Sequence, residues 1–163
     1  MFLFPTSLTT ARNAVRKTNI HSLYSFIVGR RESTNGETDF IKMVDPKRVL
    51  KYEDMLQVIH QPEKVIIDVR DPDEVQSTGK IPSSINIPLG DVHESLVTMS
   101  HEDFRRQYQR EKPSNSDELI FYCQSGRRSS EALHKALQMG YVNSKTYLGS
   151  WSDWSSRHSD NNV

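Results

Sequence analysis

This chain of 163 residues has almost no cysteine: Cys123 stands alone. A single thiol has no intramolecular disulfide partner and is too few for an all-cysteine zinc site. The fold must rest on its core, which is consistent with a reducing compartment. Also lacking is any apolar run near the roughly 18 residues that a membrane-spanning helix needs, and the mean hydropathy is −0.66. Net charge is missing too, with 21 Lys+Arg against 21 Asp+Glu. The balance gives the chain no pull toward nucleic acid or a membrane. No internal repeat is present, which leaves out solenoid architectures.

Acidic residues are absent from positions 1–31, which carry Arg12, Arg16, Lys17, Arg30 and Arg31. That stretch is rich in Ser and Thr and mixes arginine with Leu, Phe and Ile, the features of a mitochondrial transit peptide. Residues 1–31 are therefore expected to direct the protein to the mitochondrial matrix; the alternative is a basic tail on a cytoplasmic protein. Residues 32–44 are polar and aperiodic and read as a linker. The folded unit is expected over 45–158, followed by a frayed tail at 159–163.

Within that unit, KVIIDV at 64–69 is a compact β-branched run whose consecutive apolar residues suit a strand buried on both faces of a parallel sheet. Further strands fit 84–87, 118–122 and 145–148. Helices fit 52–60, 91–98, 101–110 and 129–139, the last with Ala132, Leu133, Ala136 and Leu137 on one stripe and Gly140 as its stop. Trp151 and Trp154 sit three apart on a closing helix and read as core anchors. Strands alternating with helices predict an α/β fold with a central, mostly parallel sheet between helical layers.

In such a sheet, ligands bind beyond the carboxyl ends of the strands. Cys123 lies there, at the end of one strand and just before a helix. The loop Gln124, Ser125, Gly126, Arg127 and Arg128 can wrap the sulfur with backbone N–H groups, and Gly126 supplies the freedom a concave turn needs. The following helix brings a partial positive charge, and the arginines bring more. Each feature favours a thiolate over a neutral thiol, so Cys123 reads as a nucleophile rather than as packing. Such a nucleophile must be within reach of its substrate. A phosphatase cradle places five residues between Cys and Arg; here only four separate Cys123 from Arg128. The tighter ring suits one extra sulfur atom, so phosphatase chemistry is disfavoured.

CQSGRR at 123–128 resembles the six-residue active-site loop of rhodanese (thiosulfate sulfurtransferase-like) domains. Three more segments agree in order. Asp68-Val69-Arg70 with Pro72 and Glu74 resembles the family's D-V-R-x-P-x-E stretch. Gly79 to Pro82 and Ile85 to Pro88 resemble its G-H-I-P-G-A-x-N-I-P segment, and Gly149 to Trp154 its closing G-G-x-x-x-W. Lys80 stands where His is usual, Ser83 and Ser84 where Gly and Ala are, and Ser150 in place of the second Gly. The approach to the cysteine, Glu111-Lys112-Pro113 onward, is most similar to small single-domain members that pass sulfur to glutathione.

The resemblance implies a three-layer α/β fold around a five-stranded sheet, and a double displacement through a Cys123 persulfide. Thiosulfate would be the donor. The acceptor would be a thiol, glutathione or a thioredoxin-like protein, or cyanide in vitro. No metal or organic cofactor is implied, nor any nucleic-acid or membrane partner, and the protein is expected to act as a monomer. Arg128 is expected to brace the loop against acidic partners and Arg127 to face outward toward the thiosulfate dianion. Asp68 and Arg70 are expected to form a structural network. The competing readings are a relay module passing persulfide sulfur between proteins and a non-catalytic interaction domain.

Overall fold

In a computed structural model that describes residues 39–160, the β-branched run forms β2 (Val65–Asp68), with every residue buried. Its parallel neighbour is β4 (Leu119–Tyr122), equally buried and aligned so that Asp68 stands opposite Tyr122. Around this pair lie β3 (Ile85–Asn86) on one side and β5 (Lys145–Tyr147), then β1 (Val49–Leu50), on the other. The sheet order is β1-β5-β4-β2-β3, with all pairs parallel. The α/β architecture expected from the alternation of strands and helices is observed, with the five strands that the resemblance implies.

Side chains alternate across the two central strands and feed two cores. On one face Ile67, Val69, Phe121 and Cys123 pack with Ala132, Leu133 and Ala136 of α4 (Arg127–Gln138) and with Phe104 of α3 (His101–Tyr108). On the other, Ile66, Ile120 and Tyr122 meet Met55 and Val58 of α1 (Tyr52–Val58) and Trp154 of α5 (Ser150–Asp160). Each fully buried aliphatic or aromatic side chain stabilises the fold by roughly 1.5–3 kcal/mol. Trp154 is a core anchor, as its spacing predicts.

Several local expectations need correction. Strand β1 and helix α2 (Pro72–Thr78) were not foreseen. A strand of two residues is too short for a period to register. Helix α2 carries its signal in Pro72 at the first turn and in a capping box between Asp71 and Glu74 rather than in an apolar stripe. The supposed linker is ordered at its end: Phe40–Met43 makes a 3-10 turn, and the Phe40 ring lies 5.4 Å from that of His134 on α4. The segment after Asp91 is helical but includes a π-helical turn, Glu94–Thr98. Helix α5 continues to Asp160, past the expected onset of fraying at 159. The proposed targeting segment, residues 1–31, and positions 161–163 lie outside the described residues.

Candidate active site

The chain leaves β2 for β3 on one side and β4 for β5 on the other, so the direction of winding reverses between β2 and β4. That reversal opens the crevice where sheets of this kind bind ligands. Cys123 immediately follows β4 and sits in it.

Helix α4 starts two residues earlier than expected. Gly126 is its N-cap, and the Ser130 N–H closes the first helical bond to the Gly126 carbonyl at 3.0 Å. The hydroxyls of Ser129 and Ser130 donate to the same carbonyl at 3.0 and 2.7 Å. The loop proper is therefore Gln124 to Gly126, and Arg127 and Arg128 are the first two helical residues. Cations there oppose the helix dipole, so helix stability does not explain them.

Gly126 adopts φ +96°, and a Cβ there would lie 2.6 Å from the Leu148 carbonyl oxygen. No residue with a side chain fits without a shift. This conformation turns the Gly126 N–H onto Cys123 Sγ at 3.1 Å. Where the sequence suggested several amides around the sulfur, one makes that bond. The other loop groups point the opposite way. The Cys123 and Gln124 carbonyls accept from the Trp151 and Ser152 N–H groups of α5 at 2.9 and 3.1 Å. The Ser152 hydroxyl adds a bond to the Gln124 carbonyl at 2.8 Å, and Gln124 Nε2 returns one to Ser152 Oγ at 3.0 Å. The N-terminus of α5 thus holds two loop carbonyls away from the sulfur, a role for Ser152 that the sequence reading missed.

Arg128 makes a bidentate pair with Glu74 of α2, at 2.5 and 2.7 Å, and approaches Asp71 at 3.6 Å. The Arg128 bond holds the Glu74 carboxyl well below the usual range, at about 2, although burial works the other way. Arg128 is itself raised, first by the Glu74 bond. The pair fastens α2 to the first turn of α4. Arg127 is exposed, and Ser125 lies exposed at the loop tip.

Asp68 and Arg70 do not join the sulfur. Both side chains are 0% exposed, with Arg70 Nη2 2.6 Å from Asp68 Oδ2 and Nε bonded to both carboxylate oxygens. The remaining Arg70 donors reach Thr78 Oγ1 at 2.9 Å and the Gly79 carbonyl at 2.8 Å, and the guanidinium lies 4.9 Å from the Trp151 ring. Burial works against the Arg70 charge, but the Asp68 bond prevails and the group is raised. Tyr122, pushed up by burial, donates or accepts at Ser84 Oγ and accepts from the Ile81 N–H.

Cys123 is only 1% exposed, in contrast to the open thiol that a waiting nucleophile suggests. Substrate sulfur can reach it only if loop or rim atoms move aside. Among the described residues, no cluster of three His, Cys, Asp or Glu could hold a metal ion, and no helix is long and apolar enough to cross a membrane.

Comparison with known proteins gives this arrangement a context. Residues 51–157 match the family described as Rhodanese-like domain. A Saccharomyces cerevisiae protein named thiosulfate:glutathione sulfurtransferase is 38% identical over 128 residues, covering 77% of this chain and 91% of its own. Another from that yeast, named a mitochondrial thiosulfate sulfurtransferase, is 30% identical over 132 residues, covering 78% and 87%. A solved human single-domain sulfurtransferase matches with a TM-score of 0.62 and 29% identity, covering 67% of this chain and 96% of that one.

Proposed function

The chain belongs to the rhodanese-like family of sulfurtransferases, and from that premise we propose that it moves the outer sulfur of thiosulfate through Cys123 to a thiol acceptor such as glutathione. The Cys123 thiolate attacks the outer sulfur, the S–S bond of thiosulfate breaks, and sulfite departs with the bonding pair. The enzyme is left as an anionic persulfide. An acceptor thiolate then attacks the terminal sulfur, leaves as its own persulfide and restores the Cys123 thiolate. Atoms and charge balance in each half without an added oxidant or reductant.

The observation that carries this reading is the Gly126 N–H held 3.1 Å from Cys123 Sγ by a backbone that only glycine can adopt in that space. A fixed donor aimed at developing negative charge needs no reorganisation during the reaction, which is where such groups gain most of their effect. Arg127 on the exposed first turn of α4 supplies positive potential for an arriving dianion. Gln124 and Ser125 serve through the loop backbone, and Arg128 fixes the turn through Glu74. Because Cys123 is 1% exposed, opening of the loop or its rim is a step of each half-reaction.

The test is steady-state turnover with thiosulfate and glutathione, in parallel with a thioredoxin-like protein as acceptor. Turnover with glutathione supports the reading. Turnover only with the protein acceptor replaces it with a sulfur relay, and a rate no better than that of Cys123→Ala overturns both. The name of the mitochondrial relative supports a mitochondrial location, which imaging of a fusion with and without residues 1–31 tests.

A further inference from the structure

Ser150 stands next to the sulfur where the resemblance implies a second glycine. The residue is 0% exposed and holds φ +55°, a left-handed backbone that suits glycine and disfavours a residue with a Cβ. Ser83, the other serine standing where the resemblance expects glycine, is also left-handed, at φ +64°, and spends its hydroxyl on the Ile59 carbonyl at 2.9 Å, far from any chemistry. The Ser150 hydroxyl is placed differently. Its oxygen accepts the Cys123 N–H at 3.2 Å. As a donor it has two acceptors in reach, the Tyr147 carbonyl at 2.9 Å and Cys123 Sγ at 3.9 Å, of which the first is much the nearer. A hydroxyl has a single proton to give and rotates freely to give it.

We propose that Ser150 is a switchable donor to the reacting sulfur. Its proton rests on the Tyr147 carbonyl while Cys123 is a neutral thiol and turns to the sulfur when Cys123 becomes a thiolate or persulfide. No covalent bond changes in this motion. Because a hydrogen bond to an ionised acceptor is about twice as strong as one between neutral groups, charging the sulfur is what tips the competition away from Tyr147. The Gly126 amide is then a fixed donor and Ser150 a conditional one, approaching from the α5 side of the crevice.

The inference rests on the sulfur-transfer reading, and the experiment separates the two. Ser150→Gly removes the hydroxyl and relieves the backbone, and Ser150→Ala removes only the oxygen. Three quantities are measured on wild type and both variants: thermal midpoint, rate of sulfur loading from thiosulfate by intact-protein mass spectrometry, and the pH midpoint of Cys123 alkylation by iodoacetamide. Ser150→Gly is expected to melt within a few degrees of wild type, while both variants load sulfur about tenfold more slowly and their alkylation midpoints move to higher pH. Loosening of the fold would show as a lowered thermal midpoint, so the alkylation midpoint is read on Ser150→Gly, whose melting temperature stays near that of wild type. The charged groups surrounding the crevice are Arg127 and Arg128 on α4, Glu74 and Asp71 facing Arg128, the closed Asp68–Arg70 pair, and Asp153 of α5, which is held by Tyr147 and Arg157. None is altered by either substitution, so in a Ser150→Gly variant that melts near wild type a moved midpoint reports the loss of the hydroxyl. Wild-type loading and an unmoved midpoint in Ser150→Gly overturn the inference and leave the transfer reading intact. Failure of wild type to load sulfur overturns the transfer reading, and the alkylation midpoints still decide whether Ser150 acts on the sulfur.

Discussion

The ends of β2 and β4 are neighbours in register, and each buries a reactive side chain, but they treat it in opposite ways. At the end of β2, Arg70 and Asp68 are fully enclosed, and the guanidinium donors are distributed over a carboxylate, a hydroxyl and a carbonyl. At the end of β4, Cys123 is almost as enclosed, yet among the described residues its sulfur has one close donor, the Gly126 amide, with the Ser150 hydroxyl 3.9 Å away. Burial is therefore not what separates structure from chemistry in this crevice. Saturation is: a group whose partners are all present is committed, whereas a sulfur with one good donor has room to acquire a negative charge or a second sulfur.

The comparison can be broken at four points. The largest effect is expected from Cys123→Ser, which should lower sulfur transfer by at least about a thousandfold, as loss of a covalent nucleophile does, with the unfolding midpoint little changed; thiocyanate formation from thiosulfate and cyanide measures it. Next comes Arg70→Met. It strands the Asp68 carboxylate in the core, and breaking a buried pair from one side costs about 3–5 kcal/mol. Urea denaturation should show that loss, while the folded fraction still loads sulfur. Should Arg70→Met keep its stability but lose activity, the roles assigned to the two strand ends would be reversed.

Gly126→Ala should be smaller in stability, about 1–3 kcal/mol for a Cβ forced into a left-handed turn against the Leu148 carbonyl, but should also cost most of the activity by turning the amide off the sulfur. The smallest effect belongs to Glu74→Gln. Glu74 falls from an ordinary value of 4.5 to about 2 in the fold. A depressed carboxyl contributes stability above its unfolded value and loses it as pH falls through its folded one. Wild type should therefore lose part of its stability between about pH 4.5 and 2, and the variant should lose less over that window. The side chains are 25% and 35% exposed, so solvent screening keeps the difference to roughly 1 kcal/mol or less.

The same contrast explains what could be read in advance. The buried strands and α4 announced themselves because apolar periodicity is a property of the local sequence. Cys123 stood out because a lone thiol at a strand-to-helix junction beside Gly126 and two arginines is an electrostatic pattern. The two-residue β1 gave no such signal, since it is held by what it pairs with, and the polar α2 carried only Pro72 and its capping box, with no apolar stripe to mark it. The clamp from Ser150 and Ser152 was invisible for another reason. It joins residues more than 25 positions apart, Cys123 to Ser150 and Gln124 to Ser152, and only the closing of α5 against β4 brings them together. The serine at position 150 was legible as a departure from a glycine, but not as a donor.

Cys123 is 1% exposed and must be uncovered to react. The direct test is intact-protein mass spectrometry of wild type and Cys123→Ser after incubation with thiosulfate. Wild type is expected to gain the mass of one sulfur atom and to lose it on adding glutathione or cyanide, and the variant to gain nothing. A wild-type protein of unchanged mass, or a variant that gains the same sulfur, would contradict it.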